Sequence, residues 1–380
     1  MEPISLRELK QQAGAVPIAA VLQVQLEKCL QKTTKTGNPF YEVSFADAEE
    51  SLVLRVWNNT PMFAFCSELR DRQFYEISGE FSLGNDGRSV DGKNWTVKAL
   101  GEEETARVLA GSAELRERQE ADYAYIETTV QALTDPRLQH LCTAFLERFG
   151  ERLRRTGAAR DYHHARRGGL VEHVAQMMRT ASQVCVAYPA LNRDLLVAGV
   201  LFHDSGKLWE NAYTADGFTM PFTEVSELIG HIPLGMELIN KIWRDLLEDG
   251  SREEEWSKLE PPSERVRLHL LHLIVSHHGE LEFGSPVVPK TPEAQALHYI
   301  DNLDAKMEMF ARGYEVAADL ARNVQERVRP LPGRLVKPLE AFEGSSVESP
   351  PAEGEEDFEA AEIPEEVSEA PDSGDRPEPF

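Results

Sequence analysis

The pattern of hydrophobic and polar positions divides the chain into two differently built parts. From about residue 16 to residue 100, apolar residues alternate with polar ones, as over residues 41–45 and again over residues 52–56. A period of two is typical of strands with one buried face. A more helical stretch interrupts the alternation at about residues 60–70. About five short strands with one inserted helix indicate a small β-barrel.

After residue 101 a period near 3.6 dominates, which predicts helices. Beyond residue 328 prolines, serines and acidic residues replace large apolar side chains, and such a composition cannot bury enough surface to offset the entropy of ordering. We therefore predict an α+β multidomain protein. Its parts are an OB-fold barrel (residues 1–101), a charged connecting helix (102–124), an all-helical domain (125–328) and a disordered acidic tail (329–380).

The predicted barrel offers candidates for nucleic-acid binding. OB-folds bind oligonucleotides across their strands, with aromatic side chains that stack on bases and basic side chains that meet phosphates. The aromatic candidates here are Tyr41 and Trp57, and the basic candidates are Lys32 and Lys35.

Charge and cysteine content narrow the possible functions. The net charge is −25, and residues 341–380 contribute −13 of it through 14 acidic residues and one basic residue, which leaves −12 for residues 1–340. Charge therefore gives no support for nucleic-acid binding, and a polyanionic substrate must be held by a local patch or by metal ions. The four cysteines lack CxxC spacing, and we see no signal peptide or membrane span, so we expect a cytoplasmic protein with no membrane partner.

Histidines cluster in the helical domain, where all but one of the eleven lie between residues 163 and 298. The sharpest motif is His203-Asp204, which ends an apolar helix that begins near Leu195 and precedes Lys207. A charged carboxylate there is costly unless it is paired or bound to metal. Further motifs lie in amphipathic segments at His173, His231, His277-His278 and Asp301. This ordered set of His and Asp residues resembles the metal signature of the HD phosphohydrolase superfamily.

A narrower resemblance is carried by four segments. They are Asp161-Tyr162-His163-His164-Ala165-Arg166-Arg167-Gly168-Gly169-Leu170, residues 191–196, His277-His278-Gly279-Glu280 with Gly284-Ser285-Pro286, and residues 297–306. These segments resemble the YhaM family of 3′→5′ exoribonucleases. That family also has an OB-fold before its HD domain, so the likeness covers about residues 5–325.

The resemblance implies a centre of two divalent metal ions. One ion would be held by His173, His203, Asp204 and Asp301. The second would share Asp204 as a bridge and would add His231, His277 and His278. Asp304, one turn after Asp301, is an alternative ligand that the family pattern does not favour. Imidazole and carboxylate ligands suit Mn²⁺, with Co²⁺, Fe²⁺ and Zn²⁺ as alternatives.

The resemblance also implies how the centre acts. A hydroxide shared by the two ions would attack phosphorus, and Lys207 would place a positive charge on the phosphate in the transition state. Either His163 or His164 would bind the scissile phosphate or protonate the leaving 3′-oxygen, and the sequence does not say which of the two faces the site. Arg166 and Arg167 are candidates to hold backbone phosphates.

We therefore expect a metal-dependent 3′→5′ exonuclease that hydrolyses single-stranded RNA, or DNA as well, to nucleoside 5′-monophosphates. One alternative is another HD phosphohydrolase that acts on cyclic dinucleotides or nucleotides, although no Gly-Tyr-Pro element follows His277-His278. The other is a nucleic-acid-binding protein with an inactive HD domain. This alternative is disfavoured because every expected ligand position is filled. The oligomeric state stays open, and a homo-oligomer is compatible with the sequence.

Overall fold

The N-terminal part of the chain forms a five-stranded antiparallel sheet. In the computed structural model, which describes residues 1–84, 89–248 and 250–339, helix α1 (Leu6–Gln12) precedes this sheet, and helix α2 (Met62–Phe65) with the 3-10 turn Cys66–Glu68 interrupts it. The strands are β1 (Ile18–Thr33), β2 (Pro39–Ala46), β3 (Ser51–Trp57), β4 (Phe74–Leu83) and β5 (Val90–Ala99). Their order is β3-β2-β1-β4-β5, and the outer strands β3 and β5 approach each other. This strand order with one inserted helix confirms the predicted OB-type barrel.

The alternation that predicted the strands is visible in their burial. Along β3, Leu52, Leu54 and Val56 are buried, whereas the residues between them are exposed. Inside the barrel the rings of Phe45 and Trp95 meet edge to face, with their centroids 6.1 Å apart. The period of two therefore separates a packed interior from a solvated outer face, as strand geometry requires.

The rest of the described chain is mainly helical. The helices are α3 (Glu102–Ala110), α4 (Ala113–Gln131), α5 (Pro136–Leu153), α6 (Gly169–Ala187), α7 (Arg193–Phe202), α8 (Lys207–Glu210), α9 (Glu224–Ile229), α10 (His231–Leu247), α11 (Ser251–Trp256), α12 (Ser263–Ser276) and α13 (Pro292–Val316), with a 3-10 turn at Leu281–Phe283. Every residue of α7 from Asp194 to Phe202 is buried, and α6, α12 and α13 pack around it. None of the helices in the described ranges is long and apolar enough to cross a bilayer.

The region predicted as one connecting helix consists of two helices. Gly111, whose φ is +76°, ends α3, and the Ser112 hydroxyl accepts a hydrogen bond from the backbone N–H of Leu115 at the start of α4. A residue in this left-handed region stops a helix, and a serine cap begins the next one.

The predicted start of the disordered tail at residue 329 is wrong. Three short strands follow α13, namely β6 (Asp319–Ala321), β7 (Val324–Gln325) and β8 (Leu335–Val336). Leu331 and Leu335 are each only 2% exposed, and the compact part of the chain extends to Val336. Two- and three-residue strands have too few positions to show a period, so composition alone misplaced the boundary. The rest of the predicted tail, residues 340–380, lies outside the described residues.

One end of the barrel lies against the helical domain. The buried side chain of Gln25 accepts a hydrogen bond from the backbone N–H of Phe218 at 2.6 Å, and Arg72 pairs with Asp216 at 2.7 Å. The rings of Phe74 and Phe218 meet with centroids 5.8 Å apart. The loop between α8 and α9 therefore anchors the barrel beside the helices that carry the histidines.

Candidate metal centre

Seven side chains from five helical elements converge in the helical domain. They are His173 in α6, His203 and Asp204 directly after α7, His231 at the start of α10, His277 and His278 directly after α12, and Asp301 in α13. These are the seven predicted ligands, and the structure brings all of them together. Helix ends leave the backbone free to turn, so neighbouring residues such as His203 and Asp204 can both point into one centre.

The first group of potential ligand atoms lies around His173. Its Nε2 atom is 3.3 Å from Nε2 of His203 and 3.4 Å from Oδ1 of Asp301. The Oδ2 atom of Asp204 is 3.3 Å from Nε2 of His203. Two imidazole nitrogens and two carboxylate oxygens at these separations are a donor set that suits Mn²⁺, Fe²⁺, Co²⁺ or Zn²⁺.

The second group lies on the other oxygen of Asp204. The Oδ1 atom is 3.6 Å from Nε2 of His231 and 3.7 Å from Nε2 of His277, and His278 has a ring nitrogen within 4.8 Å of those of both histidines. Within the described residues, these three buried atoms, Asp204 Oδ1, His231 Nε2 and His277 Nε2, have no hydrogen-bond partner. Buried polar atoms without partners are costly, and a cation between them would satisfy all three. The residues present therefore fit the implied second metal ion.

Each of the five histidines is oriented by a hydrogen bond from its other ring nitrogen. His203 and His277 use the same arrangement, in which Nδ1 donates to a carbonyl three residues earlier in the preceding helix. The Nδ1 acceptors are Val200 O at 2.8 Å for His203, Ile274 O at 2.7 Å for His277, Phe283 O at 2.7 Å for His278, Glu210 Oε2 at 3.1 Å for His231 and Asp304 Oδ2 at 2.6 Å for His173. Such contacts fix the tautomer and aim each Nε2 at the centre.

Asp301 and Asp304 have different places in this arrangement. Asp301 faces Nε2 of His173, on the same side as His203. Asp304 lies on the opposite side of the ring, where it accepts hydrogen bonds from His173 and from Nε2 of His164 at 3.0 Å. Asp301 is therefore placed as a ligand, and Asp304 is placed to orient one.

The structure also separates the two adjacent histidines that the sequence left equivalent. The ring of His163 lies beside that of His173, with centroids 6.0 Å apart, and its surroundings include the charges of Lys207, Asp204 and Asp301. Burial, together with the positive charge of Lys207, lowers the pKa of His163 to about 4. His164 is buried behind His173 and is bound to Asp304, so the proposed phosphate contact can come from His163 and not from His164.

Charges in the centre are balanced between carboxylates and imidazoles. Burial lowers the pKa of His173, but Asp301 and Asp304 raise it to about 9. Burial raises the pKa of Asp204, but Lys207 and His203 lower it more, so the pKa lies well below its ordinary value. Burial, with His203 nearby, lowers the pKa of His277. The centre thus combines charged carboxylates with a neutral imidazole, both of which can bind a cation.

Lys207 and Gly206 define one edge of the centre. The ammonium group of Lys207 is 2.7 Å from Oδ2 of Asp204, and its side chain is mostly buried. At Gly206 an added Cβ atom would lie 1.9 Å from the carbonyl oxygen of His231. Only glycine permits this close approach, which brings the segment after Asp204 against the start of α10.

Arg166 and Arg167, predicted to hold backbone phosphates, are engaged within the protein. The Arg166 guanidinium pairs with the carboxylates of Glu172 and Glu308. Arg167 donates to the carbonyl oxygens of Thr214 at 2.7 Å and Gly217 at 3.2 Å. The prediction is corrected, because both groups already have internal acceptors.

The barrel candidates lie away from the contact with the helical domain. Lys32, Tyr41 and Trp57 lie where β1 ends, β2 begins and β3 ends, and Lys35 is in the adjoining turn. Gln25, which contacts the helical domain, is seven residues earlier in β1, a distance of about 23 Å along a strand. The structure therefore does not bring these residues to the metal centre.

Their individual environments differ. Trp57 is 43% exposed and packs on Phe40, with ring centroids 5.1 Å apart. Tyr41 is partly buried against Phe63, and Lys32 pairs with Glu42 at 2.5 Å. Trp57 is therefore the best placed of the four to stack on a base.

Sequence reasoning missed the layer behind His173. Gln119 donates to Oε1 of Glu172 at 2.8 Å, and Glu172 also meets Arg166 and His164. Glu308 completes this layer through Arg166. One signal was available in α13, because residues 301, 304 and 308 recur at the spacing of one helix face. No signal in the sequence connects Gln119 with Glu172.

Comparisons with known proteins agree with this geometry. Residues 170–306 match the family model of the HD domain. A 3′-5′ exoribonuclease YhaM of Bacillus pumilus is 30% identical over 304 residues, which cover 77% of this chain and 88% of the relative. The 3′-5′ exoribonuclease YhaM of Oceanobacillus iheyensis is 29% identical over 292 residues, covering 76% of this chain and 85% of the relative. That of Bacillus subtilis is 37% identical over 183 residues, covering 48% and 53%.

Proposed function

This chain belongs to the family of the YhaM 3′-5′ exoribonucleases, and from that premise we propose that it is a metal-dependent hydrolase that shortens single-stranded RNA from the 3′ end. Each cycle would release one nucleoside 5′-monophosphate through hydrolysis of the terminal phosphodiester bond. Water supplies the new oxygen on phosphorus, and the 3′-oxygen of the preceding nucleotide leaves with a proton.

One observation carries the proposal. Asp204 faces one group of ligand atoms with Oδ2 and another group with Oδ1. In the second group, Asp204 Oδ1, His231 Nε2 and His277 Nε2 are buried and have no hydrogen-bond partner within the described residues. Two divalent cations held on the two sides of this carboxylate would polarise phosphoryl oxygens and generate a nucleophile from water at neutral pH. The completeness of the ligand set supports an active centre over a domain that only binds nucleic acid.

Two side chains beside the centre are placed to act on the substrate. Lys207, at 2.7 Å from Asp204, would place its positive charge next to a bound phosphate and stabilise the charge that develops there. The Nδ1 atom of His163 is buried and has no hydrogen-bond partner within the described residues. It would hold a phosphate oxygen or the leaving 3′-oxygen by a hydrogen bond.

Two exposed aromatic residues in segments that adjoin the centre favour a single-stranded substrate. Tyr162, which is 47% exposed, directly precedes His163, and Phe283, which is 61% exposed, provides the carbonyl that orients His278. Unpaired bases can stack on such rings, whereas paired bases cannot reach them. We propose that these two residues hold the terminal bases.

The test is to incubate the protein and Mn²⁺ with a single-stranded RNA that carries a 5′ label, and to resolve the remaining RNA and the released products. The proposal predicts a ladder that shortens from the 3′ end and nucleoside 5′-monophosphates as products. The same RNA with a 3′-phosphate, and a duplex of the same sequence, serve as matched substrates that should be degraded more slowly.

The sugar preference is measured by the rate at which a DNA strand of the same sequence is cleaved in the same assay. Cleavage of DNA at a similar rate would extend the substrate class to both nucleic acids. Intact RNA under Mn²⁺, Co²⁺, Fe²⁺ and Zn²⁺ would contradict the proposal, and cyclic dinucleotides and nucleoside triphosphates would then be the substrates to test.

A further inference from the structure

A cavity of about 360 Å³ lies where the barrel, the connecting helices and the helical domain meet. Ala48 reaches it from the barrel, and the other walls come from α3, α4, the end of α5 and the start of α6. None of the seven metal-ligand candidates lines it. The cavity is therefore a site apart from the metal centre.

The charged residues that line this cavity are mainly arginines. The four basic residues are Arg116, Arg154, Arg155 and Arg167, and the two acidic residues are Glu120 and Glu151. One of the glutamates, Glu120, lies 3.6 Å from Arg154. In a chain with a net charge of −25, this lining has an excess of two positive charges, which is the reverse of the protein as a whole.

Arg155 is the residue that most clearly lacks a counter-charge. Its Nε atom is buried without a hydrogen-bond partner, and its side chain forms no hydrogen bond or ion pair with any residue that the structure describes. Arg116, Arg154 and Arg167 line the same cavity, so Arg155 is surrounded by like charges. A partly buried cation next to like charges is costly unless an anion compensates it.

Part of the cavity lining is an apolar wall. Ala106, Leu109 and Val171 contribute its aliphatic surface. The volume is within the range of small-molecule sites, which combine apolar walls with a few placed polar groups. Guanidinium groups bind phosphate oxygens well because their planar fork of donors matches the phosphate geometry.

We propose that this cavity binds a phosphate monoester of mononucleotide size, with its phosphate on Arg155 and Arg116 and its base against the apolar wall. The site does not depend on the proposed exonuclease activity, although the products proposed for the metal centre belong to the same chemical class. Gln119 lines the cavity and donates to Glu172, which lies in the layer behind His173. A ligand there would lie next to the residues that orient the metal centre.

The experiment is isothermal titration calorimetry of the full chain with AMP, in EDTA so that no metal takes part. Adenosine and inorganic phosphate, titrated separately, divide the ligand into its two parts. The variants are Arg155→Met and Arg116→Met, and the matched control is Arg244→Met, because Arg244 is an exposed arginine outside the cavity. Asp204→Ala serves as the control for binding at the metal centre.

The expected result is one molecule of AMP bound per chain, with affinity reduced about tenfold or more in Arg155→Met and Arg116→Met and unchanged in Arg244→Met and Asp204→Ala. Adenosine should bind at least about tenfold more weakly than AMP. Arg116 is exposed, so its variant tests the site even if Arg155→Met does not fold. The proposal would be overturned if the wild type did not bind AMP, or if both cavity variants bound AMP with wild-type affinity. It would also be overturned if adenosine bound as tightly as AMP, or if a folded Asp204→Ala variant lost AMP binding.

Discussion

The carboxylate of Asp304 accepts a hydrogen bond from Nδ1 of His173 at 2.6 Å, and this contact decides which nitrogen of that ring faces the metal centre. With Nδ1 engaged, Nε2 is directed toward His203 and Asp301. His164 binds the same carboxylate from the other side. Asp304 is therefore placed to position a metal ligand without being one.

Asp304→Ala should weaken metal binding by about 10- to 100-fold, since the loss of a carboxylate behind a ligating histidine typically has that effect. Asp304→Asn keeps an acceptor oxygen and should retain more affinity than the alanine variant. Titration of Mn²⁺ by calorimetry measures both. The control is Asp245→Asn, which changes a half-buried aspartate that pairs with Arg148 outside the centre, and it should bind Mn²⁺ as the wild type does. A wild-type affinity in Asp304→Ala would show that the contact does not position His173.

Metal binding should release a proton from His173. In the metal-free protein this imidazole has a pKa of about 9, raised by Asp301 and Asp304 against the effect of burial. It is therefore charged at pH 7.5, and it must become neutral before Nε2 can bind a cation. Metal affinity should rise with pH and level off above about pH 9.

Calorimetry at pH 7.5 in buffers with different ionisation enthalpies counts the released protons. About one proton is expected from His173 in the wild type, and less in Asp304→Asn, where one of the two carboxylates that raise the pKa is lost. Binding without net proton release in the wild type would mean that His173 is already neutral in the metal-free protein.

Arg166 should contribute to stability and not to RNA binding. Arg166→Met removes the guanidinium that pairs with the carboxylates of Glu172 and Glu308, and breaking a buried pair in this way typically lowers the free energy of unfolding by about 3–5 kcal/mol. Urea denaturation measures the loss. Arg148→Met, which removes an exposed pair with Asp245, should change stability by less than about 1 kcal/mol. Unchanged stability combined with weaker RNA binding would restore the phosphate-binding role.

Trp57 should contribute to the affinity for single strands. Removal of an aromatic ring that stacks on a base typically costs about 1–3 kcal/mol, or roughly 5- to 150-fold in affinity. Fluorescence anisotropy with a labelled single-stranded RNA in EDTA measures Trp57→Ala without hydrolysis. Tyr188→Ala removes a 66% exposed aromatic residue at the end of α6 and should bind RNA normally. Equal affinity in Trp57→Ala and the wild type would remove the barrel face from the substrate path.

The sequence predicted the fold class because it depends on local patterns, and the ligand set followed from the resemblance of short motifs to the HD and YhaM families. Periods of two and 3.6 separated the barrel from the helices. Several ligand motifs stand at helix ends, as His203 and Asp204 do after α7 and His277 and His278 do after α12, whereas Asp301 lies inside α13. Side chains at helix ends point in directions that the helix itself does not fix, so short polar motifs after apolar runs are informative.

The rest depended on contacts between distant parts of the chain. His163 and His164 are neighbours in sequence, yet their rings have different surroundings, because two residues of this segment have positive φ angles. His164 has a φ of +43°, and Tyr162 has a φ of +78°. Arg166 met Glu308 across 142 residues, which no local pattern reveals. The contact between Gln25 and Phe218 that places the barrel spans 193 residues.

The most direct test of the central claim compares the rate of 3′→5′ shortening of single-stranded RNA by the wild type and by Asp204→Asn, each stripped with EDTA and then supplied with Mn²⁺. The control is Asp245→Asn. Mn²⁺ should restore activity to the wild type and to the control. Folded Asp204→Asn should stay at least about 100-fold slower, because the bridging carboxylate would support both ions. A variant that shortens RNA at the wild-type rate, or a wild type equally active in EDTA, would contradict the central claim.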